Sequence, residues 1–222
     1  MPGGKGEGRY ARYPSYAAWR RAMLRLRPQG VFARIAVGWS LGAQVAARAV
    51  ADGTLCVDVL VLIGAPFRFV DERSPFASEK QCLAFAERFR RAPDVTLRSF
   101  ISAVADGNEK ATEIRAFLRR NPSRDGAYPY PWLVKELFRF DGARLRVPKK
   151  RMPKRVLVIH GENDKVVAPA QAALWKNIFP HAKIYMVPNQ GHAVVFANGE
   201  GTPINFSSLV AQGGRSPSAY SP

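Results

Sequence analysis

The string GWSLG, Gly38 to Gly42, sets a serine between two glycines. The residues before it, FARIAVGW, form a compact apolar run with strand character. Those after it, SLGAQVAARAVADG, are rich in alanine and end at Gly53, as a helix with a glycine C-cap does. A serine on so sharp a strand-to-helix turn takes a strained backbone, and a side chain two positions before or after is expected to strike neighbouring backbone, which favours glycine at both. The turn lifts the Ser40 hydroxyl clear of a sheet and sets it at a helix N-terminus, where the backbone N–H of Leu41 faces a developing oxyanion. Ser40 is the candidate nucleophile.

Two loops offer it partners. The loop after the run RVLVIH reads GENDKVV and presents Asp164; the loop after AKIYMV reads PNQGHAVVF and presents His192. Both follow the C-terminal end of an expected strand, the edge at which open parallel sheets build their sites. His192 would take the serine proton as general base and return it to the leaving group, while Asp164 would hold the imidazole tautomer and stabilise its cation. Glu162 competes for the acid role, and an aspartate in a turn also serves its own backbone. His160, at the end of a strand, and His181, after Pro180, are expected to be structural or solvated.

These residues need a sheet to carry them. VDVLVLIGAP is apolar at nearly every position, as a strand covered on both faces is, and with the preceding strand and helix it makes a βαβ unit and argues for a parallel sheet. Residues 15 to 27 read as a short amphipathic helix ending at Pro28. From Asp71 to about Lys154 only helical stripes occur: Cys82 to Phe89, Val95 to Val104, Ile114 to Leu118, and Trp132 to Phe138. Alternation then resumes with RVLVIH as a strand, PAQAALWKNIF as a helix and AKIYMV as a strand. The expected organisation is a core with the serine turn over residues 1–70, a cap of about four helices over 71–154, the remaining core with the acid and histidine loops over 155–200, and a flexible tail over 201–222.

Chain order serine, acid, histidine is that of α/β-hydrolases. The chain resembles that superfamily, and the strings GWSLGAQ, LVLIGAPFRF, VLVIHGENDKVVAP and FPHAKIYMVPNQGHAVVF are most similar to the pimeloyl-acyl carrier protein methyl ester esterases of biotin synthesis. The resemblance implies a three-layer α/β core with a helical cap, and a serine carboxylesterase with Ser40, Asp164 and His192 as triad. Its substrate would be the methyl ester of a pimeloyl chain tethered to acyl carrier protein. General short-chain esterase or thioesterase activity, or a catalytically silent chain that only binds an acidic partner, are the alternatives. The opening MPGGKGEGRYARYPSY resembles the turn after the fourth strand in this family, so the chain is expected to lack the first strands and the histidine-glycine loop that supplies a second oxyanion donor. Loss of one such donor costs on the order of 10² to 10³ in rate.

With 47% hydrophobic and 23% charged side chains over 222 residues, the chain has the means to bury one sizeable core, which excludes a disordered or collagen-like polymer. It shows neither an apolar run of the roughly 18 residues that a membrane span needs nor a secretory leader, so a cytoplasmic monomer is expected. Cys56 and Cys82 lack metal-ligand spacing and read as buried free thiols; neither metal nor organic cofactor is expected. The net charge of +17 attracts polyanions. Arg88, Arg91, Arg115 and Arg119 are expected on polar cap faces, where they would meet an acidic carrier protein. The basic stretch ARLRVPKKRMPKRV lacks interleaved stacking aromatics and reads as the return to the sheet, so no nucleic-acid partner is expected. Trp39, beside the serine, with Phe100 and Phe117, is expected to line the acyl site.

Overall fold

The computed structural model of the chain describes residues 15–26, 31–70, 78–120 and 136–196. The expectations placed on residues 1–14, on Trp132 and Leu133, and on the tail 201–222 lie outside the described residues.

Strands β1 (Val31–Trp39), β2 (Leu55–Ile63), β3 (Arg155–Gly161) and β4 (Lys183–Val187) form a sheet in the order β1-β2-β3-β4, every adjacent pair parallel. β2 begins before its apolar run because Val31 pairs with Leu55, and it ends where Gly64 turns the chain at φ 49°. Successive side chains of a strand point to opposite faces. On one face Leu60, Leu62, Val156 and Val158 pack with Ala43, Ala47 and Val50 of helix α1 (Leu41–Asp52) and with Trp175 and Phe179. On the other, Val61, Ile63, Leu157 and Ile159 pack with Val187 and Val194. Each large aliphatic side chain so buried contributes about 1.5–3 kcal/mol. The described core is thus a parallel sheet packed against helices.

Helix α1 ends at Gly53, whose φ of 81° is the left-handed conformation that closes a helix without a Cβ penalty. The amphipathic helix Tyr16–Leu26 docks on it: the Tyr16 hydroxyl donates to Asp52 Oδ2 at 2.8 Å, and the Arg48 guanidinium lies 3.9 Å from the Tyr16 ring centroid. Burial, then the Asp52 charge, hold the Tyr16 phenol far above its usual range. PAQAALWKNIF winds as α-helix only over Gln171–Leu174 and tightens to a 3₁₀ turn at Trp175–Asn177. The fully buried Trp175 there donates from Nε1 to Ala65 O at 3.0 Å, anchoring the turn to the end of β2.

Between β2 and β3 the chain forms helices α2 (Glu79–Arg91), α3 (Pro93–Ala105) and α4 (Ala111–Arg120), and residues 136–139 are also helical. Ser78 and Gln81 make a reciprocal capping box at the start of α2, and Pro93 opens α3, where its missing N–H costs nothing. Val104, Ala105 and Ile114 pack against Val166, Val167 and Ala193, so the inserted helices rest on the loops after β3 and β4. Cys56 is half-buried on β2 rather than buried, while Cys82 is buried; both are free thiols. Among the described residues no helix is long and apolar enough to cross a membrane, and β1 pairs only with β2, leaving Val37 54% exposed.

Candidate active site

Ser40 adopts φ 53°, ψ −121°, a sparsely populated positive-φ conformation that costs an ordinary side chain about 1–3 kcal/mol. It is held there by its own N–H, which donates to Ile63 O at 2.9 Å, and by the start of α1 immediately after it. A Cβ on Gly38 would stand 2.6 Å from both Ala43 Cα and Gly42 O, so the glycine before the serine is sterically required. Gly42 differs from expectation. A Cβ there would meet nothing within 4 Å, because the first turn of α1 faces that Cα outward. Leu41 opens α1, where the first N–H groups have no acceptor within the helix, and it lines the same cavity as Ser40.

Asp164 follows β3 and is buried. Its Oδ1 accepts from the backbone N–H groups of Val166 and Val167, each at 2.8 Å. Its Oδ2 stands 2.9 Å from His192 Nδ1 and 3.1 Å from His160 Nε2. Burial works to raise the Asp164 pKa, but the hydrogen bonds from His160 and His192 outweigh it and hold the carboxyl well below the usual carboxylate range. A carboxylate only accepts, so Nδ1 of His192 carries a proton, and in the neutral ring Nε2 is the nitrogen with the lone pair. Glu162, the competitor for the acid role, is exposed, and it is Asp164 that meets His192.

His192 is 1% exposed and follows β4. Its ring lies against Gly64, where a Cβ would be 3.3 Å from both Cε1 and Nδ1, and Gly64 directly follows the residue that holds Ser40. Trp39 Nε1 donates to His192 O at 2.9 Å. Ser40 follows β1, and the His192 ring reaches back from the loop after β4 to lie against Gly64 at the end of β2, the strand beside β1, with Asp164 hydrogen-bonded to the imidazole.

His160 is fully buried rather than solvated. Its Nε2 is 3.1 Å from Val167 O, which can only accept, so that nitrogen carries the proton; Nδ1 is buried without a partner. In an extended strand, residues four apart lie roughly 13 Å from one another. Only the reversal of the chain after Gly161 brings His160 onto Asp164. His181 is exposed, with Nε2 2.9 Å from Pro153 O.

A cavity of about 470 Å³ opens at Ser40. Trp39, Leu41, Phe85, Phe89 and Phe100 give it an apolar wall, and Arg88 and Lys165 are its cations. Cys82 is also in the wall; burial, then Glu79, push its thiol up to about 11, which leaves it a poor nucleophile at neutral pH. Phe117 lies outside the lining: it is 47% exposed and meets Phe196 at a centroid distance of 5.4 Å, because its face of α4 points away from the cavity. Arg91 is tied to Glu87 on α2, Arg119 donates to Ser102 Oγ at 3.3 Å on α3, and Arg115 is half-buried rather than on an outer face. A second groove, about 590 Å³, lies between the first helix and α1; its Arg20 and Arg48 are paired with Asp52 and Glu136.

The sequence profile of the alpha/beta hydrolase family matches residues 4–202. Pimeloyl-[acyl-carrier protein] methyl ester esterase from Nitrosomonas europaea is 34% identical over 160 residues, 70% of this chain and 63% of that protein. The protein of the same name from Nitrosospira multiformis is 30% identical over 70% of this chain and 60% of its own length. The match thus spans about three fifths of these curated relatives. Among solved structures, an esterase from Exiguobacterium antarcticum superposes with a TM-score of 0.67 at 17% identity, over 90% of this chain and 74% of that one. A bromoperoxidase from Bacillus anthracis does so at 0.66, with the same identity and coverage.

Proposed function

The chain belongs to the alpha/beta hydrolase family, and we propose that it hydrolyses carboxylic esters through an acyl-serine intermediate. The observation that carries this reading is the Asp164–His192 hydrogen bond, in a loop tied by the Trp39 Nε1–His192 O bond to the residue next to a serine held at positive φ.

In the reaction so read, Ser40 Oγ forms a bond to the ester carbonyl carbon as its proton passes to His192 Nε2. The carbonyl oxygen becomes an oxyanion facing the Leu41 N–H, and Asp164 stabilises the imidazolium without itself taking the proton. Collapse breaks the carbon–alkoxide bond, and Nε2–H protonates the leaving alcohol. Water then attacks the acyl-serine, giving its proton to Nε2, and a second collapse releases the acid and restores the serine.

The finer assignment, a methyl ester of a pimeloyl chain on acyl carrier protein, is supported by the names of the relatives and by a cavity whose wall suits an acyl chain. The exposed arginines of the cap, Arg88, Arg91 and Arg119, suit an acidic carrier. The test is hydrolysis of a short p-nitrophenyl ester by the wild-type chain and by Ser40→Ala. Turnover lost in the variant supports the acyl-serine reading; equal rates refute it. Comparing that substrate with carrier-bound pimeloyl methyl ester decides the finer point. A kcat/KM at least about tenfold higher on the carrier-bound ester, falling with salt, supports it. Parity points to a general esterase or thioesterase.

A further inference from the structure

The turn between α3 and α4 does more than join two helices. It reaches into the histidine loop from 83 residues away in sequence: Asn108 Oδ1 accepts from Gly191 N–H at 3.1 Å, and Glu109 N–H donates to Asn189 O at 3.1 Å. Asn189 has φ 56°, so the loop bends sharply at one of the two points that this turn holds. Packing is close enough to exclude side chains, since a Cβ on Gly191 would overlap Asp106 O, and one on Gly107 would overlap Asn163 O. Lys165, next to Asp164, pairs with Asp106 at 3.1 Å.

Asn108 itself is 6% exposed and its amide is fully committed. Nδ2 donates to Ala105 O at 2.9 Å, with Val104 O and Asp106 O at 3.3 and 3.4 Å, which fixes the amide plane on the end of α3 and aims Oδ1 at Gly191. The residue after Gly191 is the histidine.

We propose that Asn108 is a positioning residue for His192, fixing through the Gly191 N–H the loop that carries the imidazole. This rests on the ester-hydrolysis reading. A general base displaced by even 1 Å loses on the order of 10²-fold in rate, so a bond one residue from the imidazole bears on kcat rather than on substrate binding.

The test uses the full chain with Asn108→Ala and Asn108→Asp, the latter keeping an acceptor for Gly191 N–H while losing the donors to α3. Asn108→Leu, which fills the space without polar atoms, replaces the alanine variant should that fail to fold. Readouts are kcat and KM on a p-nitrophenyl ester and the downfield proton resonance of His192 Nδ1–H. In Asn108→Ala, kcat is expected to fall roughly 10- to 100-fold with KM within about twofold, and the resonance to broaden or vanish. Asn108→Asp is expected to recover most of kcat despite a lower Tm. A lower Tm with unchanged kcat or an unchanged resonance in the alanine variant overturns the proposal, as does an aspartate variant as slow as the alanine one. A wild-type chain that turns over no ester retires the ester-hydrolysis reading instead, and the resonance still decides whether Asn108 places the imidazole.

Discussion

The two glycines flanking Ser40 are expected to respond in opposite directions to the same added methyl group. In Gly38→Ala the new Cβ would meet three backbone atoms, Ala43 Cα and Gly42 O at 2.6 Å and Ala43 N at 2.7 Å. Ordinary contact begins near 3.4 Å, so β1 and the first turn of α1 must part by most of an ångström, and neither is a flexible side-chain tip. Overpacking of this kind costs about 3 kcal/mol, which for a domain of this size lowers Tm by roughly 6–12 °C. The displacement also falls on the peptide units that set Ser40, so reaction with a fluorophosphonate is expected to slow on the order of 10²-fold. In Gly42→Ala the methyl meets nothing within 4 Å and the backbone is helical. Replacing glycine by alanine there stabilises by about 0.5–1 kcal/mol and raises Tm by roughly 1–4 °C, with labelling unchanged. Thermal unfolding followed by circular dichroism, alongside labelling rates on the same samples, measures both. A Gly38→Ala chain as stable and reactive as wild type, or a Gly42→Ala chain that loses either property, refutes the geometry argued for the turn.

Other expectations follow from the site. In Asp164→Asn the amide oxygen stays with the Val166 and Val167 N–H groups, which turns the NH₂ toward His192 and forces its proton to Nε2; kcat is expected to drop on the order of 10⁴-fold. The same residue sets an acid limb of stability. Its folded pKa is depressed, so the unfolded chain binds the proton first as pH falls below about 3.9, and stability drops from there toward the folded value. Thermal unfolding between about pH 2 and 6 is expected to show a shallower slope in Asp164→Asn, and equal slopes contradict the assignment. Phe100→Ala is expected to raise KM for an acyl ester several-fold, while Phe117→Ala, outside the cavity, leaves it within about twofold; steady-state kinetics on both variants distinguish them. Cys82, with its thiol near 11, is expected to react with iodoacetamide at pH 7 far more slowly than a free thiol, and rapid alkylation by mass spectrometry counts against its burial.

What could be read from the residues alone was local. GWSLG lay at a junction of two segments whose patterns changed from strand to helix, and that change of period sufficed to place Ser40 at a strand end. Four apolar runs likewise marked the four described strands, most plainly the central β2 and β3, where a strand covered on both faces has no polar side to disguise it. The failures were of reach or of facing. The sharpness of the turn argues for crowding at Gly42 as well as at Gly38, yet the helix turns that position outward. Phe117 and Phe100 lie on neighbouring helices with similar apolar stripes, and only their packing separates the cavity wall from an outward contact with Phe196. PAQAALWKNIF had the composition of a helix, but burying Trp175 against Ala65 shortened it. His160 and Asn108 carry no sequence signal at all, because their contacts with Asp164 and Gly191 exist only once the loops have folded over one another.

The most direct measurement is to treat the protein with a fluorophosphonate and locate the adduct by peptide mass spectrometry, in the wild-type chain and in His192→Ala. The reading requires a single phosphonylated residue at position 40 and a labelling rate reduced at least about 10²-fold without the imidazole. An adduct elsewhere, or one at position 40 that forms equally fast without His192, contradicts it.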